Sequence, residues 1–135
     1  MTVPCMKSLA ITTICALGLA AAGPALAHHS TAAYDMDNLA SLQGTVKSIS
    51  WSNPHIVFVV DIDGKEGAAA QAWSFEASSP GVLSRSGWSK RSLQPGDHAT
   101  FSFAPLRSGG QGGFLLKVVL PDGQTLSYSL TPKED

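Results

Sequence analysis

The chain has 135 residues, 44 % of them hydrophobic, and a formal net charge of −1. That length suits one domain with a modest core. The near-neutral balance gives no electrostatic case for nucleic acid or anionic lipid as a partner.

The first 27 residues read as a signal peptide. Lys7 precedes an apolar run over residues 9–22, and the small residues Ala25 and Ala27 occupy the two positions that signal peptidase reads. The run is shorter than the roughly 20 residues a membrane-spanning helix needs, so cleavage with no stable membrane anchor is expected. Thr12-Thr13-Ile14 lacks the small residue that precedes a lipidated cysteine at Cys15. The expected product is periplasmic or secreted and begins at His28, with 108 of the 135 residues. Cys5 and Cys15, the two cysteines of the chain, leave with the signal, so burial and not a disulfide has to hold the domain together.

Residues 28–38, which include Tyr34-Asp35-Met36-Asp37, lack periodicity and are expected to form an extended arm. From Leu39 the pattern is β. Leu42, Gly44 and Val46 hold even positions, whereas Ile49 and Trp51 hold odd ones. Such a phase flip with a mid-strand glycine predicts a bulged, coiled first strand. After the turn residues Ser52-Asn53-Pro54, Ile56, Phe58, Val60 and Ile62 share one face of a central strand over 55–62. Trp73 and Phe75 alternate in a third strand.

Ser79-Pro80 supplies an N-cap with proline at the first helical position and Gly87 a stop, which brackets a short helix over 80–86. Gln94-Pro95-Gly96-Asp97 matches a type II turn and leads into a fourth strand with Phe101 and Phe103 inward. Residues 108–113 read as a flexible glycine-rich loop, 114–120 as a fifth strand, and Asp122-Gly123 as a turn into a sixth strand over 125–130. Three strands, a helix, two strands and an added strand predict an all-β domain with one short helix. The expected architecture is a small OB-like β-barrel over 39–131 with a tail at 132–135, the alternative being a β-sandwich. Phe58, Trp73, Phe75, Phe101 and Phe103 are the expected core.

Processing would give His28 an α-amine beside its own imidazole, a nitrogen pair suited to copper or another transition metal. The metal candidates are therefore His28, His29 and His55, the last at the mouth of the first hairpin, where the loops of an OB barrel meet ligands. A solvated arm and a His55 ring packed beside Trp51 are the competing readings. Trp51, Asn53, His55 and Trp88 are the candidate ligand-binding residues, since aromatic rings can form a platform as well as a core. His98, directly after the Pro-Gly-Asp turn, reads as an ordinary strand start, and Arg85, Lys90 and Arg91 as solvated surface. No catalytic residue is assigned: the mature chain has no cysteine, zinc-binding His-Glu-x-x-His helix, phosphate loop or serine elbow.

The mature chain resembles a family of small secreted proteobacterial proteins of unknown function. The resemblance runs through His28-His29-Ser30, Trp51-Ser52-Asn53-Pro54-His55, Ser86-Gly87-Trp88, Leu93-Gln94-Pro95-Gly96-Asp97 and Leu120-Pro121-Asp122-Gly123. It implies export and a β-rich domain and transfers no activity. Ser86 stands where the family typically has arginine, which argues against an essential charge there. The expected function is a non-enzymatic binding or accessory module, with a small ligand or another exported protein as partner and copper as the candidate cofactor. The alternatives are a copper-dependent redox enzyme using an N-terminal histidine brace and a structural protein that docks on an exported partner.

Overall fold

The computed structural model describes residues 31–129. The signal segment, His28, His29 and the tail at 132–135 lie outside the described residues. Six strands form one sheet in the order β3-β2-β1-β4-β5-β6, where β1 is Ala40–Ser50, β2 Val57–Ile62, β3 Gln71–Glu76, β4 His98–Pro105, β5 Gly112–Val119 and β6 Thr125–Ser127. A parallel pairing of β3 with β5 closes the first five strands into a barrel. The protein is thus a small OB-like β-barrel with an added strand, because a single closed sheet replaces the two stacked sheets of a sandwich.

The predicted coiling of β1 has a specific cause. Val46 pairs with Val60 but Ser48 pairs with Val59, so Lys47 is the extra residue of a bulge. The phase of burial changes across it as the sequence pattern requires. Before the bulge, β1 is shared by two neighbours: Gly44 pairs with Ile62 of β2 and with Ala99 of β4. A Cβ at Gly44 would stand 2.6 Å from the Asp61 carbonyl oxygen and 2.9 Å from a Val60 methyl. The strands cross too closely there for any side chain.

The helix α1, Pro80–Arg85, begins and ends as its punctuation dictates. The Ser79 hydroxyl accepts from the Val82 amide at 3.4 Å, Pro80 occupies the first turn, and the Ser86 amide donates to the Leu83 carbonyl. Leu83 is fully buried in the core. It is joined there by Phe58, Phe75, Phe101 and Phe103, each at most 1 % exposed, and full burial of such a ring is worth about 1.5 to 3 kcal/mol. Trp73 departs from the expectation. It is partly exposed, lying over the core with its ring 6.2 Å from Phe75 and 5.8 Å from Phe103. Among the described residues no buried side-chain nitrogen or oxygen lacks a hydrogen-bond partner.

The segment 108–113 divides in two. Gly112 and Gly113 are strand residues, paired in parallel with Ser74 and Phe75, so the last two residues of the expected loop belong to the barrel's closing seam. The sixth strand is shorter than expected, Thr125–Ser127, and Leu130 lies outside the described residues.

Candidate functional site

The closing seam positions the chemistry. At its end, Glu76 pairs with Val57 on one side and with Phe114 on the other. Phe75 points into the barrel, so strand alternation turns Glu76 outward. Phe114 lies on the face opposite Leu115 and is nevertheless buried, because Tyr34 covers it with ring centroids 5.4 Å apart. The segment carrying Tyr34 is tied down by its backbone. The Asp35 amide donates to the Pro105 carbonyl at 2.8 Å, the Arg107 amide donates to the Ala33 carbonyl at 2.9 Å, and Tyr34 forms a bridge with Leu106.

From this anchorage the Tyr34 hydroxyl donates to Glu76 Oε2 at 2.9 Å. The other carboxylate oxygen, Oε1, meets Nδ1 of His55. His55 is aimed by its neighbour: Ile56 is fully buried and its backbone is held at both ends, its amide by the Ser78 carbonyl and its carbonyl by the Ala77 amide. With Ile56 turned inward, His55 takes the outer face. His55 and Glu76 have side-chain exposures of 22 % and 34 %, so the trio Tyr34, Glu76 and His55 is sheltered yet reachable from solvent.

Tyr34 and Glu76 were not among the expected site residues, although part of the pair was readable. Val57 opens β2 directly opposite Glu76, the last residue of β3. His55, two residues earlier on the same face, is therefore a diagonal neighbour of that carboxylate. Tyr34 carried no such signal, because only the folded arm brings it to the seam.

The other candidates divide. Trp51 and Trp88 do come together, lining a shallow depression with Ile49, Phe58, Lys90 and Leu93. Trp88, however, is 2 % exposed, packed between Phe58 and Tyr128, and its indole N–H donates to the Ser127 carbonyl at 3.2 Å. Its burial gives it a packing role. Trp51 is partly buried against the core and Asn53 is exposed in the turn before His55. Arg85, Lys90 and Arg91 are solvated. His98 pairs with Asp63 at 2.7 Å. Asp63 follows β2 whereas His55 precedes it, so at about 3.3 Å per residue the strand keeps His98 far from His55. Among the described residues no three His, Cys, Asp or Glu side chains group closely enough to hold a metal ion. His55 would thus need ligands from elsewhere, and His28 and His29 lie outside the described residues.

Burial, reinforced by the hydrogen bond to Glu76 and its negative charge, pushes the Tyr34 phenol up to about 12. Burial also raises Tyr128, whose hydroxyl donates to the Leu115 carbonyl and accepts from the Ser78 amide. These are the two tyrosines of the chain. Folding disfavours ionisation of both, so the stability they contribute is complete below about pH 10, the ordinary tyrosine value. It is lost as pH rises through the higher native values. An alkaline titration followed by tyrosinate absorbance should show no ionisation near pH 10 in the native protein and full ionisation there in denaturant. Titration of Tyr34 at its ordinary value in the native protein would contradict its burial and its bond to Glu76.

No curated protein matches the chain. A family model matches residues 17–117, which takes in Tyr34, His55, Glu76 and Phe114. The chain therefore belongs to DUF6152, a family of unknown function.

Proposed function

We propose that the protein is an exported, non-enzymatic binding module that takes up a transition metal ion, copper foremost, between the processed N-terminus at His28-His29 and the ring of His55. The observation that carries this reading is the anchorage of the arm beside His55: Tyr34 is bonded to Glu76, the carboxylate that holds the His55 ring. His29 precedes Tyr34 by five residues, and five residues span up to about 17 Å. The candidate N-terminal ligands thus lie close along the chain to the anchored Tyr34. An α-amine and imidazoles are ligands for which copper outranks zinc in affinity.

Calorimetric titration of the protein beginning at His28 with copper is the direct test. Affinity should fall when one residue is added before His28, which removes the free amine from the chelate, and fall again in His55→Ala. It should also weaken as pH drops, because protons compete for the same nitrogens. Equal affinity with and without the extra residue would eliminate an amine-dependent site. Binding in neither form would favour docking on an exported protein partner.

A further inference from the structure

We propose that the outer edge of β1 beyond its bulge, at Ile49 and Trp51, takes up an extended peptide as an added strand, with one apolar side chain of that peptide laid on the depression at Trp51 and Trp88 and a carboxylate of the peptide beside Lys90 and Arg91. The proposal goes beyond the metal reading and does not depend on it.

β1 loses one of its two neighbours part-way along. Its pairing with β4 ends at Thr45, opposite His98, whereas its pairing with β2 runs on to Ser50. Alternation fixes where the peptide groups beyond Thr45 are directed. The Asp63 amide donates to the Gln43 carbonyl, so Gln43 and Thr45 turn toward β2 and Val46 turns away from it. Val46 accordingly donates to the Asp97 carbonyl at 2.9 Å and accepts from the Gly96 amide at 2.8 Å. Past the extra residue Lys47, Ser48 turns toward β2 and Ile49 away. Among the described residues no strand pairs with β1 on that side beyond Thr45.

The segment facing this edge leaves it open. Residues 89–92 form a turn closed on itself: the Ser92 amide donates to the Ser89 carbonyl at 3.0 Å, the Ser89 amide to the Ser92 hydroxyl at 2.8 Å, and the Arg91 amide to the Ser89 hydroxyl at 3.1 Å. Between the turn and the edge lies the depression, walled by Ile49, Trp51 and Leu93 and floored by the buried Phe58 and Trp88. Trp88 is held by Phe58 and Tyr128, so the floor is formed in advance.

These features together select an extended peptide. A residue paired directly with Ile49 puts its side chain on the same face as Ile49, which is over the depression. Main-chain bonds then supply the hold and the depression the preference for an apolar side chain, the mode of strand addition. Edges that must stay single are blunted by charge, proline or a bulge. Residues 48–53 carry no charge and no proline, and the bulge lies before them. Charge sets the flanking chemistry. Lys90 and Arg91 are exposed, and among the described residues neither has a carboxylate partner. Asp97, at the closed end of the depression, has its carboxylate on the Gln94 amide at 2.8 Å. A peptide with a carboxylate next to its apolar residue meets this rim favourably.

The probe is the capped peptide acetyl-Ser-Glu-Leu-Glu-Ser-amide, titrated into the protein and followed by nitrogen-edited NMR. The Ile49 amide should shift on binding and its hydrogen exchange should slow. The same peptide methylated on the leucine nitrogen should bind about fivefold more weakly, the effect of losing one backbone hydrogen bond. Replacing both glutamates by lysine should weaken binding further at low salt. Lys90→Glu combined with Arg91→Glu, two exposed positions whose change leaves the core intact, should reverse the preference between the two peptides. No saturable binding, binding that leaves the Ile49 amide unchanged, or equal affinity for the methylated peptide would each overturn the proposal. So would a peptide-free protein that sediments as a dimer with a slowly exchanging Ile49 amide, because the edge would then join two copies of the chain. An unchanged preference in the charge-reversed variant would reject Lys90 and Arg91 as the source of specificity.

Discussion

Replacing Phe75 with alanine should destabilise the protein by about 3 to 5 kcal/mol. The ring is fully buried, stacked on Phe101 with centroids 5.7 Å apart and an interplanar angle of 9°, and 4.7 Å from Phe103. It sits where β3 pairs on both sides, with Phe58 of β2 and with Gly113 of the closing strand. Strands held on both edges cannot slide inward to fill the space left by a ring, so most of the void persists and the cavity cost adds to the lost transfer energy. Small domains are stable by only about 5 to 15 kcal/mol, so the effect is a large share of the total. Urea denaturation should show a much lower midpoint with a slope near that of the parent. An unchanged midpoint would refute the place of β3 in the barrel.

Gly113→Ala should cost about 1 to 3 kcal/mol, the range for overpacking a filled core. Gly110→Ala, three residues earlier in the same glycine-rich segment, should change stability by less than about 0.5 kcal/mol. A Cβ at Gly113 would lie 2.4 Å from the Ala104 carbonyl oxygen and 2.5 Å from the Phe103 ring. The carbonyl belongs to β4, which is paired with β5 at this point, so it cannot move without opening the barrel. At Gly110 the nearest atom is a Leu106 methyl at 3.3 Å, the end of a flexible side chain. Equal costs at the two sites, measured by the same denaturation experiment, would show that the seam does not depend on close approach at Gly113.

Features set by neighbours along the chain were legible before the structure. The flip of phase between Val46 and Ile49 announced the bulge at Lys47, because side chains in a strand alternate and one extra residue exchanges their faces. Ser79-Pro80 announced the start of α1 through a cap and a fixed φ, both local effects. The alternation of Phe101 and Phe103 placed them in the core correctly. Periodicity says which side of a strand is apolar but not how much of that side is covered. Trp73, on such a side, remains partly exposed, and Trp88, in a loop, is buried by Phe58 and Tyr128.

Sequence alone therefore determined the succession of strands along the chain, the bulge and the helix, since each depends on residue type and on spacing over a few positions. Only the tertiary structure decided where the sheet closes and what stands behind His55. Gly112 and Gly113 have the composition of a flexible loop, and their absent side chains acquire meaning only when the backbones of β3 and β4 come against them. Tyr34 lies 42 residues from Glu76 in an arm without periodicity. Its bond to that carboxylate exists because closure of the barrel brings Glu76 beside Phe114, and the arm folds across Phe114 to cover an apolar ring that water would otherwise reach.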